Sequence, residues 1–156
     1  MKTYVITLSK TFPKTHKRAG EQTNFRNLFE TGLKIHTIRA NYSLWQKRIK
    51  EIQDGKACLS VRQWSGKPYN SKQEEICRLT SENGVGIQKV FISPNVFSPE
   101  MLCGTLDREG NGINSVLSTS CLAENDGLTR HDWDNWFKDY DHSQPLAIIH
   151  FTNFRY

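Results

Sequence analysis

The hydrophobic residues of this 156-residue chain change period several times along its length, and the order of those changes restricts the fold most. Tyr4, Val5, Ile6, Thr7 and Leu8 form a β-prone segment that predicts an opening strand. Phe25, Leu28 and Phe29 then recur at i, i+3, i+4, with Asn24 placed to cap a short helix and Gly32 to stop it. A second helix is expected after Ser43, with Leu44, Trp45, Ile49 and Ile52 as its apolar stripe and Asp54-Gly55 as its end. Ala57, Leu59 and Val61 alternate with Cys58, Ser60 and Arg62, the pattern of a half-buried strand. A turn through residues 64–69, a return strand over 75–79 and another alternating segment over 85–92 follow. Residues 93–117 carry no clear period; Glu109-Gly110-Asn111-Gly112 is a turn signal, and residues 101–107 suit an edge strand leading into it. Thr129 with Asp132 three positions on is an N-cap signature for a helix bearing Trp133, Trp136, Phe137 and Tyr140. Pro145 precedes a last apolar strand, residues 146–151. Strand, helices, several strands, helix, strand is an order that suits an α+β fold, a small mixed β-barrel with helices packed at its ends.

The length predicts one domain spanning residues 1–156. Eight Phe, five Tyr and four Trp supply enough apolar bulk for a core. No apolar run approaches the roughly 20 residues of a membrane span, and Met1-Lys2 runs into a strand-like segment rather than a signal peptide. A cytoplasmic protein with no membrane association is expected. Cys58, Cys77, Cys103 and Cys121 are widely spaced and form no Cys-x-x-Cys pair, so free thiols are expected, with no metal and no cofactor.

Charge is divided along the chain. Residues 1–90 hold 17 Lys/Arg against 7 Asp/Glu, and residues 91–156 hold 4 against 9. A basic front half suits a phosphate-bearing partner; mutual attraction of the two halves within one domain accounts for much of the same asymmetry. Residues 9–23 form a long polar segment carrying Lys10, Lys14, His16, Lys17 and Arg18, a candidate substrate flap or a solvated insertion.

Within residues 32–39 a lysine, a histidine, a threonine and an arginine follow a helix-stopping glycine: Gly32-Leu33-Lys34-Ile35-His36-Thr37-Ile38-Arg39. A helical or tight-turn backbone sets Lys34 and Thr37 on one face, whereas a strand sets them on opposite faces. A lysine desolvated beside a hydroxyl can activate that hydroxyl as a nucleophile. The same residues also suit a basic turn on a solvated face.

Gly-x-Lys-x-x-Thr-Ile-Arg resembles the signature of the ASCH domain, a relative of the PUA RNA-binding domain. Residues 123–129, ahead of the aromatic helix, and the final strand with its aromatic end fit the same resemblance, which covers the middle of the chain poorly. The resemblance implies a PUA-like β-barrel and a basic cleft that binds RNA or a nucleoside. It also implies an alternative, since some bacterial relatives are acetylcytidine amidohydrolases that use a lysine, a threonine and a carboxylate. Carried over by motif, the catalytic residues fall on Lys34, Thr37 and Asp126, where those enzymes have a glutamate; Glu124 is a possible substitute. Arg39 or backbone N–H groups would hold the oxyanion, and Asp126 would manage the proton of the leaving amine. Asp126-Gly127 also reads as an ordinary turn before a helix.

Candidate ligand or nucleic-acid contacts are Arg39, His36, Lys17, Arg18, Trp64, Lys67 and Tyr69. Trp64, Lys67 and Tyr69 interleave aromatic and basic side chains on a turn, where bases can stack and phosphates pair. His36 and His150 have no spaced partner that would suggest a ligand set, and a structural or hydrogen-bonding role suits both better.

Overall fold

The computed structural model describes residues 1–94, 101–106 and 113–156, with side chains described outside residues 94–116. Among the described residues, two sheets, four α-helices and a short 3-10 turn at Ser81–Asn83 make an α+β architecture. The first sheet has the order β1 (Lys2–Thr7), β3 (Ala57–Trp64), β4 (Gln73–Leu79); β1 runs parallel to β3 and β4 antiparallel. The second is antiparallel, in the order β2 (His36–Arg39), β8 (Leu146–His150), β5 (Gly86–Pro94), β6 (Met101–Leu106), β7 (Ile113–Leu117). The helices are α1 (Phe25–Glu30), α2 (Tyr42–Gln53), α3 (Thr119–Asn125) and α4 (Arg130–Phe137).

One hydrophobic cluster serves both sheets. Ile6, Leu59 and Val61 enter it from the first sheet and Ile38, Ile148 and Ile149 from the second, with Ile49, Ile52, Trp133 and Phe137 from the helices. Among the described residues the sheets share no strand, so they form no hydrogen-bonded closed barrel. At the β2–β1 approach, the Arg39 guanidinium rather than a strand partner donates to the Thr7 carbonyl, at 2.6 Å. No helix among the described residues is long and apolar enough to cross a membrane.

Several expectations need correction. The second helix starts at Tyr42, with Asn41 in the left-handed region accepting from the Leu44 N–H. Leu44 is 39% exposed, because it falls one residue outside the stripe set by Trp45, Ile49 and Ile52. Asn24 makes no side-chain cap; instead the Thr23 hydroxyl accepts from the Phe25 N–H. Residues 57–61 are buried on both faces, because β3 is the central strand and α2 packs against it. The segment 9–23 is no loose insertion: Thr11 pairs with Gln22, and Phe12 and His16 are buried. Helix α3, capped by the Ser118 hydroxyl, lies just beyond the stretch without clear period and is too short to register one of its own. A strand is present over 101–106, but it lies between β5 and β7 rather than at an edge of the sheet; the 109–112 turn lies outside the described residues.

Two buried histidines give the fold a pH dependence. His36 and His150 are register partners across β2 and β8, their rings edge-to-face at 5.6 Å. Burial pushes His150 down to about 3 and pushes His36 well below its usual value, where a further positive charge so close to His150 and Lys34 would be disfavoured as well. Both are neutral in the folded protein, whereas the unfolded chain takes up a proton at each near the usual value of 6.5. The unfolded state therefore binds more protons below that value, and stability falls as pH drops from about 6.5 towards 3. Urea midpoints measured across that window should fall in the native protein and fall less steeply in His150→Gln.

Candidate functional site

Three local structures bring the site together. Gly32, at φ +76°, ends α1, and the N–H groups of Leu33 and Lys34 both donate to the Leu28 carbonyl, at 2.8 and 2.9 Å. That turn sends the Lys34 side chain inward. The chain enters β2 at His36, so Thr37 and Arg39 lie two apart on one strand face. Lys34 precedes the strand, so the alternation rule does not govern it and it meets Thr37 at the same cavity. Asp126 is the C-cap of α3 and is followed by Gly127 at φ +80°. A Cβ on Gly127 would come within 3.3 Å of Lys34 Cβ and 3.2 Å of Leu28 Cδ1, so this close turn is built for glycine.

Lys34 Nζ donates to Asp126 Oδ1 and to the Asp126 carbonyl, both at 2.6 Å, and sits 4.1 Å from the centre of the Phe25 ring. Lys34 is 1% exposed and both Thr37 and Asp126 are 4% exposed. Arg39 Nη1 donates to Thr37 Oγ1 at 3.2 Å. The four residues line one cavity, walled by Phe25 and Trp136, with an internal free volume of about 10 Å³. That is room for about one water, so a larger ligand enters only if a wall moves. The segment 9–23 lies against that wall: Phe12 and His16 stack on Trp136, at 5.7 and 6.0 Å.

The charges explain what the cluster can do. Arg39 keeps its proton under all ordinary conditions. With Asp126 ionised, a neutral Lys34 makes the buried group neutral overall, whereas a charged one leaves it a net positive charge. Burial pushes Lys34 below the usual lysine value, and the Arg39 charge adds to this; the Asp126 carboxylate opposes them. Burial pushes Asp126 up, against the attraction of Lys34 and Arg39 and a weaker pull from the Trp133 indole. The result is a lysine that holds its proton less tightly than usual, lining the same cavity as a hydroxyl that accepts from an arginine. Among the described residues no group of three His, Cys, Asp or Glu could hold a metal.

The remaining candidates lie elsewhere. Glu124 is exposed and lines a separate cavity with Leu33 and Asn125, so Asp126 is the carboxylate at the site. His36 faces away from the cavity's residues and bonds Tyr156 Oη at 2.7 Å. Arg18 is paired with Glu21 and Asp132 and lies over Phe12; Lys17 donates its backbone N–H to Asn135 Oδ1. These contacts pin the segment 9–23 to α4. Trp64, Lys67 and Tyr69 sit at the β3–β4 turn and do not line the cavity. Phe25 and Trp136 were legible as apolar positions of their helices, with no sign in the sequence that they wall a site.

The fold and the site define a class by geometry, an α+β protein with an enclosed lysine–threonine–carboxylate cluster. Comparison with protein-family models, with curated proteins and with solved structures returns no match.

Proposed function

We propose that the chain is an amidohydrolase of the ASCH type that deacylates an acylated pyrimidine nucleoside, on a PUA-like barrel left open between its two sheets. The observation that carries this reading is the convergence of Lys34, Thr37 and Asp126 on one enclosed cavity. An open basic groove, which simple nucleic-acid binding would need, is not what these residues form. The acid is one methylene shorter than the glutamate of the enzymes the motif resembles, and it nevertheless reaches Lys34 at 2.6 Å.

In this mechanism neutral Lys34 takes the proton of Thr37, and Thr37 Oγ1 attacks the carbonyl carbon of the substrate amide. Arg39, held near Thr37 Oγ1, stabilises the negative charge that develops on oxygen. Lys34 passes its proton to the departing nitrogen as the C–N bond breaks, which leaves an acyl ester on Thr37. A water then enters and attacks the ester carbonyl as Lys34 accepts its proton. Lys34 returns that proton to Thr37 Oγ1 as the C–O bond breaks, which gives a carboxylic acid, free Thr37 and neutral Lys34. Asp126 holds Lys34 in place throughout.

Incubation with a panel of acylated pyrimidine nucleosides at neutral and alkaline pH tests the proposal. Deacylated nucleoside and free acid are expected in equal amounts; absence of both across the panel would end the amidohydrolase reading.

A second reading, single-stranded RNA binding, is favoured by the β3–β4 turn. Tyr69 is 88% exposed at φ +64°, 5.2 Å from the Trp64 ring, and Lys67 is exposed beside it. Lys10 Nζ donates to the Ser65 carbonyl at 2.7 Å, which sets this turn beside the segment 9–23. If it binds RNA, Tyr69→Ala should remove about 1–3 kcal/mol of affinity in a fluorescence titration.

A further inference from the structure

We infer that Tyr156 is a positioning residue for the site, joining the strand that carries Thr37 and Arg39 to the turn that carries Asp126. Its effect on catalysis rests on the amidohydrolase reading; its effect on geometry does not. Tyr156 Oη lies 2.7 Å from His36 Nε2 and accepts from Asn125 Nδ2 at 3.0 Å. His36 directly precedes Thr37, and Asn125 directly precedes Asp126. One phenol oxygen therefore bridges the immediate neighbours of the nucleophile and of the acid.

The bond polarity follows the tautomer of His36. Asn125 Nδ2 donates to the phenol oxygen, and burial keeps His36 neutral, so the Tyr156 O–H can donate to an unprotonated His36 Nε2. Because side chains alternate along β2, His36 lies on the strand face opposite Thr37. The bridge thus braces the site from behind without entering the cavity. A backbone bond runs alongside it, from the Ile35 N–H to the Asn125 carbonyl at 2.9 Å.

Tyr156 is itself held. Its N–H donates to Gln88 Oε1 at 2.9 Å, and Gln88 Nε2 donates to its carbonyl at 3.3 Å. The ring packs edge-on to His36 and Phe154, at 5.7 and 5.0 Å. A hydroxyl on a ring anchored to β5 is a rigid spacer. Displacing reacting groups by about 1 Å can cost a factor of about 100 in rate, so a spacer between the two segments has leverage on turnover.

Tyr156→Phe keeps the ring and deletes only the hydroxyl. We expect amide exchange at Ile35 to accelerate and the Lys34 13Cε resonance to shift. With an acylated nucleoside, kcat should fall about 10- to 100-fold with KM little changed. Asn125→Ala, which removes the bridge from its other side, should reproduce these effects. Ile76→Val on β4 is the control for a small loss of stability and should reproduce none of them. Native exchange and an unmoved Lys34 resonance in both bridge variants would overturn the inference, as would a native kcat in both. If the native protein turns over no substrate, the amidohydrolase reading fails, and the exchange and resonance measurements still decide the role of Tyr156.

Discussion

Thr37→Val should abolish turnover of an acylated nucleoside while the protein stays folded. Valine matches threonine in shape and in its suitability for a strand, so β2 keeps its pairing with β8. What disappears is the nucleophilic oxygen and the group that accepts from Arg39 Nη1. Arg39 retains its bonds to the Thr7 and Ile38 carbonyls, which limits the loss of stability to about 0.5–1.5 kcal/mol. Lys34→Met should also abolish turnover, by deleting the base. In the native protein, activity should rise with pH along a limb set by Lys34, and that limb should lie below the usual lysine range, because burial holds the amine down. Stopped assays across pH, with urea unfolding as the control for folding, measure both effects. If an activity survives Thr37→Val and Lys34→Met alike, these residues are not its machinery. If the chain only binds a ligand, Thr37→Val should cost one hydrogen bond of affinity, and Lys34→Met should cost more, chiefly at low salt.

Asp126→Ala should be the most destabilising single change at the site. It leaves the buried Lys34 Nζ without its carboxylate partner, with only the backbone carbonyl of residue 126 still accepting from it. Removing one member of a buried pair costs about 3–5 kcal/mol, because the other charge is left uncompensated. Lys34 can shed that cost by losing its proton. Asp126 raises the Lys34 value, so without it the amine titrates lower still in the folded state, while the unfolded chain keeps the usual value of 10.5. The unfolded state then binds more protons over the interval between the two, and the variant should regain stability as pH rises through it. Lys34→Met/Asp126→Ala should be more stable at neutral pH than Asp126→Ala alone, and should remain inactive. Urea midpoints for the native protein, both single variants and the double variant close the cycle. Strict additivity would show that the 2.6 Å pair carries no coupling, contrary to its geometry.

The helices and strands with a regular period were legible before any coordinates. The helix of Trp133 and Phe137 begins at its Thr129 cap as expected, and β8 and β4 fall where alternation and apolar runs placed them. Errors arose where neighbours overrode local pattern. Ser60 looks like the exposed member of an alternating strand, yet it is buried, with Glu75 of β4 and Arg62 of its own strand β3 satisfying its hydroxyl. The hydrogen-bonding role expected of His36 is present, but its partner, Tyr156, lies 120 residues away and could not be read from the motif.

The site divides in the same way. The sequence by itself determined which residue types stand near one another, namely a glycine that frees the chain before Lys34, and a threonine and an arginine two apart where a strand puts them on one face. These are local consequences of backbone geometry. Only the tertiary structure decided that Lys34 is buried, that Asp126 rather than Glu124 is its partner 92 residues on, and that Arg39 reaches both Thr37 and β1. Those outcomes depend on desolvation and long-range packing, which move a lysine from a solvated turn to an enclosed cavity and thereby change what its nitrogen can do.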